Sequence, residues 1–133
     1  METTLEEGKE KPKILIVEDD ESIAKLLEEI AQDKGYASYA LVADYPSRIL
    51  EGLEKTFREF QPDAAIVDGL DHACFEVIAK IEKIKPNTLC VIYTGNAPAL
   101  KVRMQEEERK HEVFQKPTLN ELFNFLASYF QSR

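Results

Sequence analysis

Apolar and polar residues alternate along the chain as short apolar runs separated by longer amphipathic stretches. The runs at Ile14–Val17, Ala64–Val67 and Thr88–Tyr93 are typical of strands buried on both faces. Two more strands are predicted at Tyr36–Val42 and Glu112–Gln115. This alternation predicts an α/β fold with a five-stranded parallel sheet, right-handed crossovers and helices on both faces.

Helical spacing of apolar residues marks the segments between the predicted strands. Ile23–Ala31 forms the first stripe, and Gly35 is its predicted terminator. A second helix is predicted to start within Asp44–Ser47. The segment Ala99–Lys110 has the weakest periodicity, and its charges predict a solvated helix face. The strongest stripe ends the chain, after a predicted capping box at Thr118–Glu121.

Length and composition bound the class of protein. The 133 residues make one domain, and 44% apolar with 32% charged residues is typical of a globular chain. We expect residues 1–12 to form a flexible polar tail and residues 13–133 to form the folded domain. The net charge of −8 argues against nonspecific binding to nucleic acid or to anionic membranes. The two cysteines, Cys74 and Cys90, have no metal-binding spacing, and such sparse usage is typical of a reducing compartment.

Acidic residues follow the first predicted strand directly, from Glu18 to Glu21. In a sheet of order 2-1-3-4-5, strands 1 and 3 are neighbours, so Glu18 and Asp19 would meet Asp68 at the end of the third strand. Clustered carboxylates repel each other unless a cation joins them, and a set of oxygen ligands suits Mg²⁺. The alternative for the acidic run is a polar loop and a helix N-terminus, and Asp20 is assigned to that helix start.

Three further polar residues follow predicted strands. Asp68 stands alone at the end of its strand, and a carboxylate can act as the nucleophile in phosphoryl transfer. Thr94 can donate a hydrogen bond to a phosphoryl oxygen, and Lys116 can pair with another as a compact cation. His72 and His111 are interpreted as solvated side chains. The sequence contains no Gly-rich phosphate loop and no evident Ser-His-Asp or Cys-His arrangement.

Four fragments together resemble the receiver domains of two-component response regulators. They read ILIVEDDES, PDAAIVDG, VIYTGNAP and VFQKPTLNEL, in the family's order, and they cover about Lys13 to Phe130. The resemblance implies that residues 13–133 form a receiver domain. It also implies the doubly wound, flavodoxin-like fold of that family.

The resemblance implies a role for each matching position. Asp68 matches the phosphoacceptor, Thr94 the hydroxyl that moves towards the phosphoryl group, and Lys116 the lysine that usually precedes a cis-proline bond. Mg²⁺ would be held by the side chains of Glu18, Asp19 and Asp68. The backbone carbonyl of Leu70 would be a further ligand.

The implied function is that of a regulatory domain and not an enzyme. A sensor histidine kinase or a phosphotransfer protein would phosphorylate Asp68, and the phosphorylated surface would contact a downstream protein. We expect a cytoplasmic monomer or weak homodimer that binds neither nucleic acid nor membrane. The sequence names neither the kinase nor the output partner. The chain is either a stand-alone regulator or a fragment of a longer one.

Two departures from the family's pattern leave alternatives open. The loop after Asp68 looks short and has Gly69 where a bulky apolar residue is common, and Val113 replaces a common aromatic. The adjacent Phe114 is expected to point to the opposite face. These departures favour, as an alternative, a pseudo-receiver that binds proteins without phosphorylation. A Mg²⁺-dependent phosphohydrolase is a third hypothesis, weakened by Gly-Leu after Asp68 and by the lack of room for a cap domain.

Overall fold

The computed structural model describes residues 11–43, 46–106 and 111–132, and these form five strands and five α-helices in alternation. The strands are β1 (Lys13–Glu18), β2 (Ala37–Val42), β3 (Ala64–Asp68), β4 (Leu89–Thr94) and β5 (Glu112–Gln115). The helices are α1 (Glu21–Asp33), α2 (Pro46–Glu59), α3 (Cys74–Ile84), α4 (Ala97–Glu106) and α5 (Leu119–Gln131). A 3₁₀ turn, Leu70–His72, connects β3 to α3.

The five strands are parallel and lie in the order β2-β1-β3-β4-β5. The fold class and strand order predicted from the sequence are therefore confirmed. Successive side chains of each strand enter two separate apolar clusters, because a strand points its residues alternately to opposite faces. Leu15 and Val67 pack with α2, α3 and α4, whereas Ile16 and Ile66 pack with α1 and α5. Burial on both faces explains why the strand sequences are continuously apolar.

Several sequence-predicted details of the core and helix ends are confirmed. Gly35 has φ +90° and lies directly after the C-cap residue Lys34 of α1, a position that glycine adopts without a Cβ clash. Cys74 and Cys90 are free thiols buried in the same cluster. Within the described ranges, no helix combines the length and the apolar character that crossing a membrane requires.

Helix α4 is held by few apolar contacts, as its weak periodicity predicts. Leu100 and Met104 are buried, and the guanidinium of Arg103 lies 5.1 Å from the centre of the Phe75 ring in α3. The last residues of the charged segment, 107–110, lie outside the described residues. The predicted tail up to residue 10 and the first two residues of the segment Asp44–Ser47 lie outside them as well.

The capping box predicted at the start of α5 is wrong. Thr118 is the N-cap residue, but its side chain makes no capping hydrogen bond. Its hydroxyl donates instead to the backbone carbonyl of Gln115, which also accepts the Thr118 backbone N–H at 2.8 Å. Lys116 and Pro117 lie in this turn and are joined by a cis peptide bond. The Thr118 hydroxyl, which a capping box would need, is therefore used inside the turn.

Candidate functional site

Strand alternation places the key side chains on one face at the carboxyl edge of the sheet. Val17 and Val67 enter the cluster beneath α2 and α3, so the next residues, Glu18 and Asp68, lie towards α1 and α5. Tyr93 follows the same rule in β4: it lies in the α1/α5 cluster and is the register partner of Asp68. Both Glu18 and Asp68 are buried, so their charges interact with little screening from water.

Lys116 joins the two buried acids. Its ammonium nitrogen lies 2.5 Å from Asp68 Oδ1 and 3.2 Å from Glu18 Oε2. Burial by itself lowers the pKa of Lys116, but the hydrogen bond and charge of Asp68, with those of Glu18, outweigh it, and the pKa is raised. The raised pKa keeps the lysine side chain a cation beside the two acids.

Glu18 and Asp19, from the end of β1, meet Asp68 in an acidic cluster. Each of the three carboxylates offers one oxygen, and these oxygens lie within 4.8 Å of one another. Burial is the largest cause that raises the pKa of Glu18 to about 7, and the nearby Asp68 charge adds to it. Such a cluster of hard oxygen donors fits a divalent cation such as Mg²⁺.

Asp20, the third acid of the run, has a structural role. Its carboxylate accepts the backbone N–H of Ser22 at 2.9 Å and that of Ile23 at 3.3 Å, so it caps helix α1. The Ser22 hydroxyl is the main cause of its lowered pKa. The predicted division between Glu18 and Asp19 in the cluster and Asp20 at the helix start agrees with this geometry.

The loop after Asp68 folds back tightly onto the site. The backbone N–H of Leu70 donates to Asp68 Oδ2 at 2.9 Å, while the Leu70 carbonyl accepts the Ala73 N–H at 3.0 Å. Leu70 has φ +49° and its side chain is buried in the core, so the turn is anchored from inside. Its left-handed backbone is uncommon for a branched residue and costs on the order of 1 kcal/mol.

Thr94 lies against Gly69, and the absence of a side chain at Gly69 makes the contact possible. A Cβ at Gly69 would lie 2.5 Å from the Thr94 hydroxyl oxygen and 3.3 Å from Cδ1 of Leu100 in α4. The Thr94 oxygen accepts the backbone N–H of Asn96 at 3.2 Å. An open cleft of about 260 Å³ lies between the carboxyl ends of β3 and β4, the loops that follow them and helix α4. Its lining residues are Asp68, Gly69, Leu70, His72, Thr94, Gly95, Asn96 and Leu100.

Gln115 holds the loop after Thr94 in place. Its side-chain oxygen accepts the Ala97 N–H at 2.9 Å, and its nitrogen donates to the Gly95 carbonyl at 2.7 Å. The Lys116 N–H also donates to the Thr94 carbonyl at 2.7 Å. The sequence analysis assigned no role to Gln115 or to Tyr93. Strand alternation could have placed Tyr93 beside Asp68 on the same face of the sheet. The amide contacts of Gln115 depend on the loop conformation, so no signal in the sequence indicates them.

Val113 and Phe114 lie on opposite faces of β5, as predicted. Val113 packs against the cluster beneath α2 and α3, and Phe114 against the α1/α5 cluster. The ring of Phe114 lies 5.7 Å from that of Phe125 in α5. The Phe114 ring therefore packs against α5. It does not occupy the place of the aromatic ring that is common in receiver domains at the position of Val113.

Comparison with known proteins identifies the fold through solved structures. No protein-family model and no curated protein sequence matches the chain. A CheY-like receiver domain from Methanospirillum hungatei JF-1 is 25% identical, with a TM-score of 0.72, over 92% of this chain and 96% of that one. The response regulator TrrA from Thermotoga maritima, in complex with Mg²⁺ and BeF, is 22% identical, with a TM-score of 0.66, over 88% and 97%.

A pilus assembly-related protein from Burkholderia pseudomallei shares the fold at 22% identity, with a TM-score of 0.61, over 80% of this chain and 78% of that one. The chain is a receiver domain in fold, with the CheY-like order of strands and helices. The resemblance stated from the four sequence fragments is therefore confirmed.

Proposed function

We propose that this chain is a phosphoacceptor regulator of the two-component type. The observation that carries the proposal is the convergence of Glu18, Asp19 and Asp68 within 4.8 Å, with Lys116 bound to Asp68. The two comparison structures that are response regulators have the same fold, and one of them contains Mg²⁺ and BeF. In this proposal residues 13–133 form the receiver domain.

The chemistry follows from the groups around Asp68. One Asp68 oxygen forms a bond to phosphorus, the phosphorus–nitrogen bond of a phosphohistidine breaks, and its electron pair returns to the imidazole nitrogen. The Lys116 ammonium and the Leu70 N–H each donate to one Asp68 oxygen, and each oxygen keeps a further lone pair with which it can attack phosphorus. Lys116 and Thr94 are then placed to bind phosphoryl oxygens.

The acidic cluster is the proposed magnesium site. Glu18, Asp19 and Asp68 would supply carboxylate oxygens. The Leu70 carbonyl, which accepts the Ala73 N–H, is a further proposed ligand. A bound Mg²⁺ would offset the repulsion between these acids and neutralise charge on the incoming phosphoryl group. The donor of that group is a sensor histidine kinase or a phosphotransfer protein. We propose a regulatory role in the cytoplasm, with phosphorylation-dependent binding to a downstream protein by a monomer or weak homodimer.

Phosphorylation is tested with a small phosphodonor and Mg²⁺, followed by intact mass. We expect a phosphate adduct on the wild-type chain and none on Asp68→Asn, with Asp63→Asn at the opposite end of the sheet as the matched control. Absence of an adduct with any donor or metal would count against the proposal, as would an adduct on Asp68→Asn.

The second candidate is a protein-binding module that does not use phosphate. Two observations favour it: the loop after Asp68 folds back so that the Leu70 N–H donates to Asp68 Oδ2, and Val113 packs against the core cluster without a ring that could reorient. This function predicts that beryllofluoride with Mg²⁺ leaves the backbone NMR signals of β4, β5 and α4 unchanged. Shifts spreading from Thr94 to α4 would support the phosphoacceptor function instead.

A further inference from the structure

Tyr93 lies beneath the only lysine that the described residues place at the site. It is the register partner of Asp68 on one side and of Phe114 on the other, and it is 3% exposed. The centre of its ring lies 5.6 Å from the Lys116 ammonium nitrogen. An ammonium within about 6 Å of a ring centre is attracted by the negative face of the ring. Lys116 therefore has three partners, namely Asp68, Glu18 and the Tyr93 ring.

Two of these three partners belong to the acidic cluster. A divalent cation at Glu18, Asp19 and Asp68 would compete with the Lys116 ammonium for the same oxygens. The aromatic face of Tyr93 supplies no carboxylate oxygen to such a cation. The ring is therefore the one of the three partners that keeps its attraction for Lys116 when the acids hold a metal.

We propose that Tyr93 is a positioning residue, whose ring holds the Lys116 ammonium beside Asp68 after a divalent cation has taken the carboxylates. Lys116 then remains placed to bind the phosphoryl group. This inference rests on the proposed phosphoacceptor function. It adds that the chain uses a ring on β4 to position the lysine, which neither the acidic cluster nor the fold requires.

A purely structural role is the competing explanation, because Tyr93 is also a core residue in the cluster of Val91 and Phe123. Tyr93→Phe keeps the ring and its packing, whereas Tyr93→Leu removes the aromatic face. Phe123→Leu is the matched control, because Phe123 is as buried as Tyr93 and lies in the same cluster but in helix α5.

The first measurement locates Lys116 in the wild-type chain by NMR of its side chain during Mg²⁺ titration. We expect the ring-current shift of the Lys116 methylene protons next to the ammonium to persist at saturating Mg²⁺. A shift that collapses to the value of a solvated lysine would overturn the inference.

The second measurement compares the variants by Mg²⁺ affinity and by phosphorylation rate with a small phosphodonor. We expect Tyr93→Leu to slow phosphorylation by about three- to tenfold and to leave Mg²⁺ affinity within about twofold. Tyr93→Phe and Phe123→Leu should match the wild type in both. Equal phosphorylation rates for Tyr93→Leu and Phe123→Leu would refute the positioning role of Tyr93 and leave the proposed function standing. A wild-type chain that takes no phosphoryl group would refute both the proposed function and this inference.

Discussion

The Lys116 ammonium nitrogen lies 2.5 Å from Asp68 Oδ1, although β3, which ends at Asp68, and β5, which ends just before Lys116, are not neighbours. Strand β4 separates β3 from β5, so the lysine side chain crosses the end of β4 above Tyr93. This crossing places one cation between two buried acids of β1 and β3. Lys116 is therefore the counter-ion that these two buried acids share.

Lys116→Met is expected to lower the free energy of unfolding by about 2–3 kcal/mol at neutral pH without metal, because it leaves Glu18 and Asp68 buried without their counter-ion. Urea unfolding in the presence of a chelator measures the loss. Mg²⁺ should stabilise this variant more than the wild type, since no ammonium competes for the acids. Lys80→Met is the control: Lys80 lies 3.8 Å from the exposed Glu54 and donates to the Leu50 carbonyl at 2.9 Å, but it has no buried acid as a partner, so its loss should cost less. Equal losses for both variants would contradict the prediction.

Glu18 is expected to make stability depend on pH. Its pKa of about 7 in the folded chain exceeds the usual value of 4.5, so the folded state binds the proton more tightly than the unfolded state. This contribution is fully present below pH 4.5 and is lost as the pH rises through 7, by up to about 3 kcal/mol. In Glu18→Gln the fall between pH 5 and pH 8 should be smaller, as measured by urea unfolding without metal. Parallel curves for both chains would contradict it.

Gly69→Ala tests the contact between the acceptor loop and Thr94. Gly69 has φ −59° and ψ −29°, which alanine also adopts, so the expected effect is steric and not conformational. Its Cβ would lie 2.5 Å from the Thr94 oxygen, and we expect a loss of about 1–2 kcal/mol in the free energy of unfolding. Thr94→Ala in the same chain should recover part of that loss in a double-mutant cycle.

Gly95→Ala is the control for this pair, because a Cβ at Gly95 meets nothing within 4 Å. It should leave stability nearly unchanged. Additive effects of Gly69→Ala and Thr94→Ala would show that the two residues do not interact through this contact.

Asp19 and Asp20 are adjacent, but substitution of each should change a different property: Mg²⁺ affinity for Asp19 and thermal stability for Asp20. Asp19→Asn removes a charge from the acidic cluster and should weaken Mg²⁺ binding by at least about tenfold, with little change in melting temperature. Asp20→Ala should lower the melting temperature through loss of the α1 cap and leave Mg²⁺ affinity nearly unchanged. Calorimetric titration and thermal unfolding separate the two effects, and a metal-binding loss for Asp20→Ala would reassign it to the cluster.

The fold was predictable because its signals are local and strong. Continuous apolar runs such as Ile14–Val17 suit strands buried on both faces, as in a parallel sheet covered by helices on each side. The sheet order then brings the ends of β1 and β3 together, so the meeting of Glu18 with Asp68 followed from the topology.

The contacts that the sequence did not indicate depend on turn geometry. Thr118 matches a capping box, yet the turn at the cis Lys116–Pro117 bond brings its hydroxyl to the Gln115 carbonyl. The clamp of Gln115 on Gly95 likewise requires the loop conformation after β4. A polar side chain near a turn has several possible backbone hydrogen-bond partners of similar energy. Which partner it binds is therefore decided by the folded conformation and not by the local sequence.

Residues 98 positions apart, Lys116 and Glu18, meet at the site. A nascent chain that has not yet reached β5 carries the acids of β1 and β3 but lacks their only nearby cation among the described residues. Pairing of the two buried acids with their lysine therefore requires the final strand to be in place. Under the proposed function, a chain that lacks the end of β5 would therefore also lack the cation beside Asp68.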